Sequence, residues 1–286
     1  MNRTRSVWGI VFSVLCLAGL CASGQTATVE LRITDLDVYT DQSLWVRVVD
    51  ESTGREVSRQ EFEAIQSDLT LSVEAPLVDT LRVDAFVDLD ADDQFGDEPG
   101  FRWILEAIPD SRIIDLGPLS EARIETLHWS PWIDGRIDKN EYTSFLFDEE
   151  TDMEVYWDHD GTWLSIGLVS PGTGWVAIGF DPDRRMSGAN IIIATVTADG
   201  VPIEDHVGSS PTGHREDGTS TIVSSAGAED AGETTVEFVI PLAESGNGRD
   251  LPINEPITVI LAYHETSDRL SSRHSKRSTR EILLED

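Results

Sequence analysis

Residues 88–98 place carboxylates at alternate positions, in the run Asp-Leu-Asp-Ala-Asp-Asp-Gln-Phe-Gly-Asp-Glu. Carboxylate oxygens are the ligands that Ca²⁺ prefers, and this spacing resembles the start of a calcium-binding loop. The segment is not an EF-hand, because Asp93 and Pro99 stand where that loop needs Gly and Glu. Both a calcium site and a solvated acidic turn are compatible with it. The calcium ligands would be Asp88, Asp90, Asp92 and Asp97.

Two histidines, His206 and His214, lie close to Asp205 in the chain. Imidazole nitrogens and carboxylates bind transition metals, so this group could form a metal site. The surrounding residues 204–217 are polar and contain glycine, which predicts a long loop. In such a loop both histidines would otherwise be solvated, and this alternative stays open.

The motifs of self-contained catalysis are missing from the sequence. It contains no nucleophile elbow, no Gly-rich phosphate loop and no candidate catalytic cysteine. Carboxylates are so abundant that no single pair of them indicates acid–base catalysis. We therefore do not expect a self-contained enzyme.

The chain is strongly acidic, with 53 Asp and Glu residues against 21 Lys and Arg residues and a formal net charge of −32. The electrostatic field of so negative a chain repels the phosphates of nucleic acids, so we expect no binding to nucleic acid.

The first 24 residues have the features of a secretory signal peptide. Arg3 and Arg5 precede an apolar run, and small residues before Gln25 suit cleavage. We therefore expect a secreted or periplasmic protein. Both cysteines, Cys16 and Cys21, lie in the signal, so the mature chain would have no disulfide. No later segment is long and apolar enough to span a membrane.

The rest of the chain reads as short strands separated by turns. Residues 29–33 and 44–48 alternate apolar and polar side chains, which is typical of half-buried strands. Similar segments recur at regular spacing from residue 153 onward. The pattern predicts an all-β protein made of two tandem antiparallel β-sandwich domains. We place the first, with the acidic loop, at residues 25–122 and the second at residues 128–286.

Several motifs of the second region occur in an order that resembles the DOMON family. Ile-Asp-Gly-Arg-Ile-Asp (133–138) is followed by Gly-Trp-Val-Ala-Ile-Gly-Phe (174–180) and Met-Ser-Gly-Ala-Asn (186–190). Ser-Asp-Arg-Leu-Ser-Ser-Arg-His (267–274) closes the set. The resemblance covers about half of the chain and implies an immunoglobulin-like sandwich that binds haem b or a sugar.

For a haem-binding member, the resemblance implies that Met186 and His274 are the axial ligands of the iron. Without a C-x-x-C-H run the haem would be held non-covalently. Arg273 and Arg277 would pair with its propionates, and Trp175 would line the pocket. A Met/His pair suits electron transfer, for which a separate redox partner protein would be needed. His264 is a rival to His274 as the ligand.

The alternative function is a carbohydrate-binding module without haem. Tryptophan rings can stack on sugar rings, although they also fill sandwich cores. The candidates are Trp129, Trp132, Trp157, Trp163 and Trp175.

If the acidic segment binds calcium, millimolar Ca²⁺ should raise the melting temperature of the chain, because the ion binds the folded state only. Thermal unfolding with and without Ca²⁺ measures this effect. An unchanged melting temperature would favour the solvated turn.

Overall fold

The computed structural model describes residues 26–40, 42–62, 65, 67–76, 80–89, 100–106, 113–125, 127–138, 141–243 and 248–285. The predicted signal peptide lies outside these residues. The protein is all-β, as predicted, and forms two tandem β-sandwiches. Two short 3₁₀ turns, Asp37–Tyr39 and Leu119–Glu121, are the helical elements of the described part. No helix there is long and apolar enough to cross a membrane.

The N-terminal sandwich consists of a three-stranded sheet, in the order β4-β1-β7, and a five-stranded sheet, in the order β3-β2-β5-β6-β8. Its pairs are antiparallel except β1 with β7, which is parallel. Alternate residues of both sheets point inward and form one apolar core. The strands are β1 Thr26–Thr34, β2 Ser43–Asp50, β3 Arg55–Phe62, β4 Leu69–Pro76, β5 Thr80–Asp88, β6 Gly100–Glu106, β7 Ile113–Pro118 and β8 Arg123–Glu125.

The C-terminal sandwich pairs a five-stranded sheet, β16-β17-β11-β10-β9, with a six-stranded sheet, β15-β14-β13-β12-β18-β19. A second, separate core lies between these two sheets. The strands are β9 Ser144–Asp148, β10 Met153–His159, β11 Trp163–Pro171, β12 Val176–Phe180, β13 Asn190–Ala194, β14 Ile203–Ser210, β15 Gly213–Glu216, β16 Ser224–Asp230, β17 Glu233–Pro241, β18 Pro256–Tyr263 and β19 Lys276–Leu283. The exact domain boundaries stay a prediction.

The predicted long loop at residues 204–217 is wrong, because β14 and β15 form a hairpin there. Its inward residues include Asp205, which is buried and accepts hydrogen bonds from the amide and hydroxyl of Thr221 at 2.8 and 2.7 Å. Because a carboxylate occupies an inward position, the alternation of apolar and polar residues that indicates a strand is broken here.

A buried carboxylate, Asp84, organises the face of the five-stranded N-terminal sheet that lies away from its core. Its oxygens accept hydrogen bonds from Arg47, Arg82 and Arg102 at 2.9, 3.1 and 2.7 Å. Burial alone would raise the pKa of Asp84, but hydrogen bonding and the charges of these guanidinium groups hold it below its usual value. Arg47 is buried as well. The group is therefore an ion cluster in which each buried charge is paired.

The same face holds the segment that leads into the second sandwich. Arg47 donates a hydrogen bond to the carbonyl of His128 at 2.7 Å, and Arg59 donates one to the carbonyl of Ser130 at 2.6 Å. Trp129 packs with Trp45 and Phe86, and the Arg47 guanidinium lies 4.6 Å from its ring centroid. Cation–π contact and hydrogen bonds thus fix the connecting segment to the first sandwich.

A second buried carboxylate, Glu237, holds the next part of that segment against β17. It accepts hydrogen bonds from the Tyr142 hydroxyl and the Gly135 amide, both at 2.7 Å. Burial nevertheless raises the pKa of Glu237 to about 8. Burial also raises the pKa of the nearby Glu141 to about 7. Both groups therefore bind protons more tightly in the folded chain than in the unfolded one.

Replacing Asp84 by Asn should lower the free energy of unfolding by about 3–5 kcal/mol, because the buried Arg47 guanidinium loses its counter-charge. Urea denaturation at neutral pH measures the loss. Asp68→Asn is the matched control, since its ion pair with Arg32 is exposed and worth less than about 1 kcal/mol. Equal small losses in both variants would contradict the role given to Asp84.

The raised pKa of Glu237 predicts a stability that falls as pH rises. Its contribution is fully present below its ordinary pKa of 4.5 and is lost as pH passes about 8, because the folded state then gives up a tightly held proton. Glu237→Gln should flatten this dependence. Between pH 5 and pH 9, the melting temperature of the parent should fall relative to the variant by on the order of 5 °C. Parallel curves would refute the assignment.

Candidate functional site

The central strand of the six-stranded sheet, β12, is buried on both faces. Val176, Ile178 and Phe180 point into the core between the sheets. Ala177 points to the opposite side, which we call the outer face, and Ile193 of the paired strand β13 lies beside it. Trp175, just before β12, packs with both. The outer face therefore carries an apolar patch that something must cover.

Residues 264–275, which connect β18 to β19, supply that cover. The amide of Trp175 donates a hydrogen bond to the carbonyl of Ser267 at 3.0 Å, and the hydroxyl of Thr195 donates one to Asp268 at 2.8 Å. Leu270 packs on the apolar patch. The connection thus crosses from β12 to β13 over the outer face, and it returns to β19 through His274.

His274 lies at the end of the connection and is half-buried. Burial and the charges of Arg277 and Arg273 lower the pKa of its imidazole, so the neutral form is favoured at neutral pH. Both arginines are exposed, and Arg277 is paired with Ala262 on the outer face. An imidazole that binds a metal must be neutral, so this environment favours the ligating form.

Met186 lies in residues 181–189, which connect β12 to β13. Its carbonyl accepts a hydrogen bond from the Ala189 amide at 3.1 Å. It also lies against Gly208 of β14, where any side chain would collide with it. By the alternation of the strand, a side chain at position 208 would point to the outer face. The Met186 backbone occupies that position, so it lies on the outer face too. Only glycine at position 208 allows this approach.

The two predicted ligand loops therefore reach one face of the sheet, and they leave β12 at opposite ends. The Met186 loop starts after Phe180, whereas Val176 at the other end is paired with Tyr263, where the His274 connection starts. The five residues of β12 span on the order of 13 Å. The rival His264 accepts hydrogen bonds from the amides of Thr266 and Ser267 at 3.1 and 3.0 Å, so one of its ring nitrogens has a structural role.

The residues on the outer face fit a haem group in their chemistry. The Trp175 side chain is 4% exposed, and its indole Nε1 is buried without a hydrogen-bond partner in the described structure. An indole N–H normally finds an acceptor when it is buried. Together with an apolar surface, a neutral imidazole and exposed arginines, this orphaned donor suits a flat apolar ligand with carboxylate groups.

The predicted calcium site cannot be located in the same way. Asp88 is buried at the end of β5, and Asp90, Asp92 and Asp97 lie outside the described residues. Within the described ranges, no cluster of three or more His, Cys, Asp or Glu side chains could hold a metal ion. Calcium binding stays a prediction.

The structure also brings together three residues that the sequence did not group. Glu204 Oε2 lies 2.8 Å from His206 Nε2, and His206 Nδ1 lies 2.8 Å from His214 Nδ1. Asp205, the residue predicted to join the two histidines, points to the inner face instead. The alternation of Glu204 and His206 on one strand is visible in the sequence, but the pairing with His214 depends on the hairpin register.

Comparison with known proteins gives a family for this sandwich. The model of the DOMON domain family matches residues 149–264, a range that includes Met186 and excludes His274. The solved structures that resemble the chain at low sequence identity include the following three.

One is the cytochrome b domain of pyranose dehydrogenase from Coprinopsis cinerea, with 12% identity and a TM-score of 0.40, covering 49% of this chain and 80% of that one. Another is the cytochrome domain of cellobiose dehydrogenase from Myriococcum thermophilum, with 11% identity, a TM-score of 0.35 and coverages of 49% and 88%. The third is a family 9 carbohydrate-binding module from Caldicellulosiruptor kristjanssonii in complex with glucose, with 14% identity, a TM-score of 0.33 and coverages of 53% and 82%. None of these similarities identifies a ligand. The family match and the two-sheet architecture show that the chain contains a DOMON domain over residues 149–264.

Proposed function

We propose that the DOMON domain binds haem b non-covalently, with Met186 and His274 as axial ligands, and transfers electrons. The observation that carries the proposal is that both loops reach the outer face of the six-stranded sheet, around an apolar patch with an orphaned indole donor. The chain would be exported and would exchange electrons with a separate redox protein.

The residues of the site have distinct roles in this proposal. The neutral imidazole of His274 and the thioether of Met186 would hold the group, which supplies a one-electron redox couple when it is bound. Arg273 and Arg277 carry exposed guanidinium groups that suit its carboxylates. The Trp175 indole N–H offers one more donor to an oxygen of the ligand. The connection 264–275 would have to shift outward to admit a macrocycle beneath Leu270.

A carbohydrate-binding module is the second candidate function, but the residues that support it are not the tryptophans that the sequence suggested. Trp129, Trp157 and Trp175 are buried and cannot stack on a sugar in solution, and Trp132 and Trp163 are half-buried. Exposed aromatic rings occur instead on the edge strand β9, where Phe145 and Phe147 are 54% and 47% exposed. The ring centroids of Phe145 and Tyr156 lie 4.8 Å apart at an interplanar angle of 43°, so aromatic rings adjoin at this edge of the sheet.

Haem uptake is the direct test. The purified chain should take up one equivalent of haemin and give a low-spin spectrum that sharpens on reduction with dithionite. Met186→Ala should convert it to a high-spin spectrum and lower the reduction potential, because the thioether stabilises the ferrous state. His274→Ala should weaken uptake by more than about tenfold.

His264→Asn is the matched control, since an Asn oxygen at position 264 can still accept the amide hydrogen bonds of the connection. It should keep the parent spectrum. A low-spin spectrum that survives His274→Ala and disappears in His264→Asn would move the ligand to His264. The lack of stoichiometric uptake by the parent would refute the haem proposal and leave the carbohydrate module as the leading candidate.

A further inference from the structure

A cleft of about 360 Å³ opens beside the β14–β15 hairpin on the outer face of the six-stranded sheet. Glu204, His206 and His214 form one wall, and Leu270 and Ser271 of the connection 264–275 form the other. Thr212 lies at the turn of the hairpin. The cleft is large enough for one six-membered ring with its substituents. Neither the family match nor the proposed haem ligands assign a role to these histidines.

The hydrogen bonds of this wall fix the direction of its protons when both rings are neutral. A carboxylate only accepts, so His206 Nε2 carries the hydrogen that is donated to Glu204 over 2.8 Å. A neutral His206 then has an unprotonated Nδ1, which accepts the Nδ1 hydrogen of His214 over 2.8 Å. His214 Nε2 is left unprotonated. In the described structure it has no hydrogen-bond partner.

The surroundings of His214 favour the neutral form of its ring. Burial and the proximity of His206 lower the pKa of His214, against the opposing effect of Glu204. His206 is buried, and its ring lies 4.8 Å from that of His214 at an interplanar angle of 57°. The centroid distance agrees with two nitrogens that point at one another, the geometry of a hydrogen bond between rings. With both rings neutral, the series Glu204–His206–His214 thus ends in one hydrogen-bond acceptor, His214 Nε2. The negative charge of Glu204 at the other end increases the basicity of this nitrogen.

We infer that this cleft binds a neutral ring compound through a hydroxyl group that donates a hydrogen bond to His214 Nε2. An unprotonated imidazole nitrogen is an acceptor, so it selects an O–H donor. The hydroxyls of Ser271 and Thr212 can bind further polar groups, and Leu270 offers an apolar contact for the ring. No described Lys or Arg lines the cleft and Glu204 carries a negative charge there, so a neutral ligand is favoured over an anion. A phenol and a sugar ring share the required chemistry.

The haem-free chain is sufficient to test this inference, because all the residues that line the cleft belong to the chain itself. Nitrogen-detected histidine NMR at neutral pH should show His206 protonated at Nε2 and His214 protonated at Nδ1 only. Phenol and methyl β-D-glucoside would then be titrated separately, with acetate as the anionic control. A saturable shift of the His214 Nε2 resonance is expected with one of the neutral probes at millimolar concentration and not with acetate. The responding probe distinguishes an aromatic from a sugar hydroxyl.

Variants make the test specific. His214→Phe should weaken binding of the responding probe about tenfold, and Glu204→Gln about threefold, because the acceptor is removed or its support is lost. His159→Gln, on strand β10, should leave the affinity unchanged. Cooperative unfolding of each variant verifies that it is folded. The inference is overturned if neither neutral probe shifts the resonance, if acetate competes equally, or if His214→Phe and Glu204→Gln bind like the parent.

Discussion

The burial of both faces of β12 is the constraint on which the C-terminal sandwich depends. Its Val-Ala-Ile-Gly-Phe sequence is apolar throughout, as is typical of strands covered on two sides. The inner face is covered by the opposite sheet, and the outer face needs a separate cover. Residues 264–275 provide it through Ser267, Asp268 and Leu270. Because that cover also carries His274, the packing of an apolar strand and the placement of a candidate ligand have the same cause.

Two buried carboxyl groups of this acidic chain, Asp84 and Glu237, are stabilised in different ways. Asp84 is kept ionised by several guanidinium groups, so its cluster contributes fixed charge pairs to the junction between the sandwiches. The described hydrogen-bond partners of Glu237 are neutral groups, two backbone amides and the Tyr142 hydroxyl, and it holds its proton to higher pH. Both carboxylates position the segment between the sandwiches. The difference in their pKa arises from the partners that surround them, not from the degree of burial.

The outer face of the six-stranded sheet combines two sets of polar groups around one apolar patch. Met186, His274 and the unpaired Trp175 indole N–H belong to the first set, and the Glu204–His206–His214 chain belongs to the second. The two sets are linked by the connection 264–275, which packs Leu270 on the patch and also lines the cleft. A ligand that displaced this connection from the patch would therefore also change the lining of the cleft.

The sequence by itself determined the all-β class, most of the strands and the DOMON resemblance, because alternating side chains and ordered motifs are local features of the chain. It failed at residues 204–217, where the buried Asp205 interrupts the apolar pattern and its carboxylate accepts hydrogen bonds from the distant Thr221. It also could not tell which tryptophans are exposed. The pairing of His206 with His214 and the three arginines around Asp84 were decided by tertiary structure alone. Such contacts depend on strand register and sheet packing, which bring together residues that no local pattern relates.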